Sequence, residues 1–292
     1  MGATDPPNGI NPKGSQVETS DPDPQEDPPV DSDPSQTTTP EDQTTPPGAA
    51  RAAPKELVST GMSGLDAQFG GGIPQGALYL VTSSPTTATS TFLAQYAAAG
   101  LDEGETVYYF SLEHPKQEVV AEIKKYLDDE NGVKNLHLID GYPSQFRDVP
   151  PEARQRLDIP EGADLLGALE HLMVDPKLKS PVRIIVESLS EFLDQYPEER
   201  VFRALRVMRA VARRLPGTGV ITMVSDLHEN RTNALAKHLA DGVVEFHVER
   251  KGFGIYPYIA ITKMRGVTGS ARLLLFKETE QGLWLESTKR VY

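Results

Sequence analysis

Short apolar runs alternate with amphipathic segments over much of the chain, a pattern that predicts a parallel β-sheet with helices on both faces. The predicted strands are residues 77–82, 106–112, 136–140, 182–187 and 220–225. Apolar residues recur at helical spacing between them. The predicted helices are residues 90–100, 115–128, 163–174, 198–215 and 231–239. Helix 90–100 is expected to end at its glycine.

The pattern changes after Gly242, where strand-like segments follow one another without a helix between them. These four segments predict an antiparallel extension at one edge of the sheet. Residues 141–161 carry four prolines, and we expect them to be irregular. The fold class predicted from the pattern is therefore α/β, with a mostly parallel sheet.

Residues 1–54 have a different composition from the rest of the chain. They hold ten acidic and two basic residues and 12 of the 24 prolines. Such a segment buries too little apolar surface to offset the entropy of ordering, so it is predicted to be a disordered acidic tail. Residues 55–292 are predicted to form the folded domain. The net charge of −13 divides into −8 for the tail and −5 for the domain.

The residue types exclude several classes of function. The chain has no cysteine, which excludes a disulfide scaffold, a thiolate metal site and a cysteine nucleophile. The six histidines show no metal-ligand spacing, so no metal is expected. No apolar run approaches the ~20 residues needed to span a bilayer. We therefore expect a cytoplasmic protein without membrane contact, and the acidic charge disfavours nucleic acid as a partner.

Five motifs in order along residues 57–288 resemble the RecA/KaiC-like P-loop ATPase superfamily, in its archaeal type. The first is the stretch from Ser59 to Thr91, which reads STGMSGLDAQFGGGIPQGALYLVTSSPTTATST. The others are FSLE at 110–113, IIVES at 184–188, LADGVV at 239–244 and KMRG at 263–266. The resemblance implies a RecA-like P-loop NTPase fold, with the terminal strands as its antiparallel extension.

The resemblance implies a phosphate loop over the stretch SSPTTATS, but its usual chemistry is missing. A working loop reads G-x-x-x-x-G-K-[ST]. Here Ser83 and Ala88 stand at the glycine positions and Thr89 at the lysine position, while Ser90 keeps the magnesium hydroxyl. One lost charge-assisted hydrogen bond is worth about 1.5–3 kcal/mol. Weak phosphate contacts stay open for these nine residues: Ser83, Ser84, Pro85, Thr86, Thr87, Ala88, Thr89, Ser90 and Thr91.

Three further positions correspond to the catalytic residues implied by the resemblance. Glu113 is followed by His114 where two adjacent carboxylates are usual, and Glu187 replaces the Walker B aspartate. Glu187 either holds magnesium or is a strand-end acid bonded to Ser90 or Ser188. His114 is either a base or a partly exposed loop residue.

A further site implied by the resemblance is a subunit interface formed by Lys263 and Arg265. The resemblance implies that this pair reaches a nucleotide held by a neighbouring subunit of a ring. Because the two residues lie two apart on a predicted strand, their side chains are expected to share a face. The alternative is a solvated basic strand end.

Helix 198–215 carries the densest basic cluster in the chain. Its arginines are Arg200, Arg203, Arg206, Arg209, Arg213 and Arg214. They form either a solvated helix face or a docking surface for an acidic segment, such as the tail. The third interpretation is a surface that binds nucleic acid, which the absence of interleaved aromatic residues disfavours.

Three functions remain open from the sequence. The first is a non-catalytic regulatory or interaction module, in signalling or transcription-linked control, with a protein partner or self-association and no cofactor. The second is a divergent active ATPase that binds ATP and Mg²⁺ weakly. The third is a recombinase-like accessory protein that binds DNA.

Overall fold

The computed structural model describes residues 2, 56–84, 88–146, 148, 150–156, 164–175, 177–267 and 272–286. Apart from Gly2, the predicted acidic tail at 1–54 lies outside the described residues. No helix in the described part of the chain is both long and apolar enough to cross a membrane.

The strands form one large sheet and one small one. The small sheet pairs β1 (Leu57–Val58) with β2 (Ile73–Pro74). The strands of the large sheet are β3 (Ala77–Ser83), β4 (Thr106–Ser111), β5 (Leu136–Asp140), β6 (Val182–Glu187), β7 (Gly217–Val224), β8 (Gly242–Lys251), β9 (Gly254–Met264), β10 (Arg272–Thr279) and β11 (Gly282–Leu285). Their order across the sheet is β11-β10-β9-β8-β3-β7-β6-β4-β5.

Strands β3 to β8 run parallel to their neighbours, and β9 to β11 extend the sheet in antiparallel pairs beside β8. The α/β class, the mostly parallel sheet and the antiparallel C-terminal extension are therefore confirmed. Parallel neighbours need a long connection, which the amphipathic segments supply as crossover helices. The strands after Gly242 follow one another without a helix and therefore pair antiparallel.

Helices cover both faces of this sheet. They are α1 (Ser63–Gln68), α2 (Thr89–Asp102), α3 (Lys116–Lys124), α4 (Pro151–Arg156), α5 (Leu165–Val174), α6 (Leu189–Gln195), α7 (Glu198–Ala212) and α8 (Asn230–Leu239). Apolar residues of α1, α2 and α3 pack in the core on one face. Apolar residues of α5 to α8 pack in the core on the other.

Several predicted boundaries are wrong: helix 115–128 ends at Lys124, and strand 220–225 begins at Gly217. Two others have a local cause in a proline. Helix 198–215 ends at Ala212, three residues early, because the residue before Pro216 is driven away from helical angles. The region 141–161 is not wholly irregular, because α4 lies within it. Proline at the first position of a helix costs no hydrogen bond, so Pro151 begins α4 rather than preventing it.

Helix α2 does not end at Gly100 as predicted, and the reason is a packing contact. The helix continues to Asp102, and Gly104, with a φ of 77°, follows its end. A Cβ at Gly100 would lie 2.5 Å from Nε of Arg183, closer than real carbon–nitrogen contacts allow. Gly100 is therefore needed for close approach and not as a helix terminator.

The side chain of Arg183, at the start of β6, is fully buried. Its Nε donates to Glu105 at 2.7 Å, and its Nη1 donates to the backbone carbonyls of Ser59 and Tyr96 at 2.7 and 2.8 Å. Its Nη2 lies 3.2 Å from Glu103. The guanidinium also stacks over the ring of Tyr96, 4.6 Å from its centroid. A buried charge with this many partners holds the start of β6 against α2 and the β1 segment.

We predict that Gly100→Ala destabilises the protein by about 2 kcal/mol, because the methyl group overpacks the Arg183 site. A glycine-to-alanine change within a helix otherwise stabilises it by about 0.5–1 kcal/mol. Urea unfolding at pH 7 measures the difference. Ala99→Gly, the neighbouring position, is the control for helix propensity alone and should cost about 1 kcal/mol. A Gly100→Ala protein more stable than wild type would contradict the close contact.

Candidate functional site

The carboxyl ends of β3, β4 and β6 lie at one edge of the sheet, because the three strands run in the same direction. Helix α2 begins at Thr89, six residues after the end of β3. In a phosphate loop the amides of the following helix N-terminus face the ligand. Strand β3 and helix α2 lie on either side of the stretch where the resemblance implies such a loop.

The residues predicted to contact phosphate differ in their burial and in their hydrogen-bond partners. Ser83 ends β3 and is half-buried, and its carbonyl accepts from the amide of Ser225 at 2.7 Å. Thr89 and Thr91 are buried. Thr91 donates to Glu278 on β10 at 2.7 Å, so its hydroxyl serves the packing of α2 on the sheet. Ser84 and Ala88 are half-buried, and Pro85, Thr86 and Thr87 lie outside the described residues.

Glu187 is buried at the end of β6, and protein donors contact both of its carboxylate oxygens. Ser90 Oγ lies 3.3 Å from Oε1, and Tyr109 donates to Oε2 at 2.8 Å. His114 Nδ1 lies 3.3 Å from Oε1. The hydrogen bond from Ser90 is one of the two that the sequence predicted for a strand-end acid. Burial, and then the Glu187 charge, raise the pKa of Tyr109 well above its usual value, so Tyr109 remains a donor.

Glu113 and His114 follow β4 directly and approach Glu187 from the neighbouring strand. Both are half-buried, and Ser111 Oγ donates to the backbone carbonyl of His114 at 2.6 Å, which holds the turn. The contact with Glu187 raises the pKa of His114. Burial, followed by repulsion from Glu187, raises the pKa of Glu113. One ligand atom from each of Glu113, His114 and Glu187 lies within 4.8 Å of the others.

A cavity of about 290 Å³ opens beside this cluster, between α2 and α3. Its lining residues are Ser90, Thr91, Ala94, Tyr109, His114, Glu118, Val119, Glu122 and Glu187. Among the described residues that line it there are three glutamates and neither lysine nor arginine. Such walls favour cations and oppose polyphosphate anions.

A family model described as "ATPase: KaiC" matches residues 58–289, from β1 to just beyond β11. The chain belongs to this KaiC ATPase family. The match spans the whole of the folded part of the chain that the structure describes. The RecA/KaiC-like resemblance found in the sequence is therefore confirmed.

Several relatives of this KaiC-family chain are similar over nearly their full length. A UPF0273 protein of Methanopyrus kandleri is 26% identical over 249 residues, covering 80% of this chain and 93% of the relative. A UPF0273 protein of Aeropyrum pernix is 27% identical over 240 residues, covering 78% and 92%. The crystal structure of a KaiC-like protein from the hyperthermophilic archaeon Pyrococcus horikoshii aligns with a TM-score of 0.58 and 20% identity, covering 80% of this chain and 100% of that one. The last comparison supports the RecA-like fold.

The predicted subunit-interface residues of this KaiC-family chain lie at the opposite edge of the sheet, where β9 ends and β8 begins. Lys263 Nζ donates to the carbonyls of Lys237, His238 and Ala240 at 3.2, 3.1 and 2.5 Å, and so caps the C-terminus of α8. Burial lowers the pKa of Lys263. A single chain therefore does not bring this edge to the phosphate loop, and the role at a subunit interface stays a prediction.

One part of that prediction is wrong: Arg265 does not lie on the strand with Lys263. Strand β9 ends at Met264, and Arg265 lies in the turn that follows. Its backbone amide donates to the carbonyl of Asp241 at 3.0 Å, and its guanidinium lies 3.9 Å from the Asp241 carboxylate. The position of Arg265 is therefore set by this backbone hydrogen bond in the turn and not by the alternation of side chains along a strand.

Most of the basic cluster on α7 forms ion pairs within the chain. Arg209 and Arg213 bind Asp241 at 3.0 and 2.7 Å. Arg200 contacts Asp164 and Glu170, and Arg203 contacts Glu199. Arg206 and Arg214 are exposed. The cluster is thus neither a uniformly solvated face nor a free docking surface, because Asp241 takes up two of its arginines.

Sequence reasoning predicted the bond between Ser90 and Glu187 as one alternative, but it did not bring Glu113 and His114 to them, and it did not single out Tyr109. Tyr109 points to Glu187 only because β4 lies beside β6, with Ser111 opposite Glu187 in the register. Periodicity alone does not give this strand order. The alternation within β4 was the available signal, since Tyr109 and Ser111 share a face.

We predict that Asp241→Asn destabilises the protein by about 3 kcal/mol at pH 7, because it leaves Arg209 and Arg213 without a buried counter-charge. Burial raises the pKa of Asp241, but hydrogen bonds from both arginines outweigh it and the pKa is lowered overall. The stabilisation is therefore present above the unfolded pKa of about 3.9 and is lost as the pH falls through the folded pKa.

Urea unfolding of wild type and Asp241→Asn between pH 7 and pH 3 measures this dependence. The difference should be constant down to about pH 4.5 and shrink below about pH 4. Asp194→Asn, an exposed position, is the matched control and should change stability by less than about 0.5 kcal/mol. A difference that grew as the pH fell would contradict the assigned ion pairs.

Proposed function

We propose that this KaiC-family chain does not hydrolyse nucleotide and works as a regulatory or interaction module. The observation that carries the proposal is the environment of Glu187. Ser90 and Tyr109 donate to its two oxygens, and His114 Nδ1 lies 3.3 Å from Oε1, so protein groups surround the carboxylate at the Walker B position. Phosphoryl transfer depends on positioning and charge neutralisation, and these contacts supply neither for a phosphate.

The cofactor that the family implies, a magnesium-bound nucleotide, does not fit the residues present. The stretch from Ser83 to Ser90 contains no lysine, and the adjoining cavity is lined by Glu118, Glu122 and Glu187. Magnesium prefers oxygen ligands in an octahedral arrangement, whereas His114 places an imidazole nitrogen beside the Walker B carboxylate. The stretch therefore lacks the lysine and the glycines with which a phosphate loop grips a triphosphate.

The proposed module acts through a protein partner or through self-association, in signalling or transcription-linked control within the cytoplasm. The LADGVV and KMRG motifs lie where strands β3 and β8 begin and support this proposal. Asp241 accepts from the amide of Leu78 there, and Lys263 donates to the carbonyl of Ala240. DNA binding through α7 has less support than it had from sequence, since Arg200, Arg203, Arg209 and Arg213 are paired within the chain.

We predict that the purified chain releases phosphate from Mg-ATP no faster than its Glu113→Gln/Glu187→Gln variant, which removes both candidate catalytic carboxylates. Radiolabelled phosphate release from the two proteins, prepared in parallel, is the measurement. Equal rates assign any signal to contaminants. Wild-type turnover of about 1 s⁻¹ that the double variant abolishes would overturn the proposal and support the divergent ATPase.

A restored loop tests the physical reason for inactivity. The variant Ser83→Gly/Ala88→Gly/Thr89→Lys regains the loop glycines and the lysine. Because one charge-assisted hydrogen bond is worth about 1.5–3 kcal/mol, calorimetry should show it binding Mg-ATP about tenfold to hundredfold tighter than wild type. Light scattering on the same samples reports assembly. Wild-type binding as tight as that of the variant would contradict the proposed loss of nucleotide chemistry.

A further inference from the structure

We propose that Glu113, His114 and Glu187 form a binding site for a divalent transition-metal ion of the zinc class. The three side chains come from the ends of two adjacent strands, β4 and β6, and offer one nitrogen and two carboxylate groups. Their ligand atoms lie within 4.8 Å of one another. The sequence predicted no metal, because Glu187 is 73 residues from His114 and only the strand order brings them together.

The geometry of the cluster fits a small tetrahedral ion. Nδ1 of His114 and Oε1 of Glu187 are 3.3 Å apart. Zinc bonds nitrogen and oxygen at about 2.0–2.2 Å in a tetrahedron, which sets its ligand atoms roughly 3.3 Å apart. That pair therefore already has the spacing of one tetrahedral edge. A carboxylate oxygen of Glu113 lies within 4.8 Å of both atoms and offers the third ligand, and the adjacent cavity leaves a fourth position for water or another ligand.

A buried polar atom at the cluster supports a missing ligand. Nδ1 of His114 is itself buried and has no partner with hydrogen-bond geometry among the described residues, although Glu187 is near. Oγ of Ser188, which follows Glu187, is also buried at the cluster and interacts with the Glu113 carboxylate. A buried polar atom without a partner is costly, and a bound ion with its water removes that cost.

The surrounding charge also favours a cation. Glu113 and Glu187 repel each other, and Glu118 and Glu122 line the cavity that leads to the cluster. No described lysine or arginine lines that cavity to balance them. A divalent ion neutralises the buried carboxylate of Glu187 and the half-buried one of Glu113 together, which a single imidazole cannot do.

The ligand types select the metal. Imidazole nitrogen suits zinc and its first-row neighbours, whereas magnesium and calcium take oxygen ligands. The histidine at position 114 thus distinguishes this site from a magnesium–nucleotide site. A bound ion would join the ends of β4 and β6 and, through the bond of Ser90 to Glu187, the start of α2.

The experiment is calorimetric titration of the chelator-treated full-length chain with ZnCl₂ in the absence of nucleotide. We expect one site per chain, and His114→Gln should weaken it by at least about 100-fold, because changes even to outer-shell partners cost about 10–100-fold. His238→Gln, an exposed histidine on α8, is the matched control and should bind as wild type does. Co²⁺ in place of zinc should give a visible absorption band that His114→Gln loses.

Equal zinc affinity in wild type and His114→Gln would overturn the proposal, and so would no binding to wild type. Circular dichroism checks that each variant folds. If His114→Gln does not fold, Glu113→Gln replaces it and the same loss is expected. Failure here leaves the nucleotide proposal intact, since no ATP is present, and ATP hydrolysis by wild type would equally leave the zinc result standing.

Discussion

The buried guanidinium of Arg183 sets the geometry on which the candidate site depends. A charge taken out of water must be met by several partners, and Glu105, Ser59 and Tyr96 supply them from three separate segments. The arginine thereby fixes the start of β6 against the middle of α2. Glu187 is the last residue of the same strand, and Ser90 lies in the first turn of the same helix. Their contact therefore depends on the Arg183 contacts at the other end of β6.

Most of the fold could be predicted because periodicity depends on burial, which acts along the whole of each strand. Strand β6 matches its predicted bounds, since a fully buried run leaves little freedom at its ends. The errors lie where a single tertiary contact overrides a local signal. Gly100 was predicted to end a helix, yet it lies within α2, because the nearest neighbour of its missing Cβ is Arg183. The sequence around Gly100 gives no sign that Arg183 packs against it.

The candidate site was predictable residue by residue and not as an arrangement. The resemblance named Glu113, His114 and Glu187, but strand order decides which of them touch. In this sheet β4 lies directly beside β6, while β7 separates β6 from the loop strand β3. His114, which follows β4, therefore reaches Glu187 directly, and Ser90 reaches the same carboxylate from the start of α2. Spacing along the chain contains no information on this order.

Thr89 and His114 both bear on the charge balance at Glu187. The resemblance implies a lysine where the chain has Thr89, and a buried carboxylate without a positive partner carries a high energetic cost. The resemblance also implies a second carboxylate at position 114, where the chain has a histidine whose Nδ1 lies 3.3 Å from Glu187. The contact with Glu187 raises the pKa of His114, which favours an imidazolium that offsets part of the negative charge. A loop without lysine and a histidine after β4 therefore act on the same buried carboxylate.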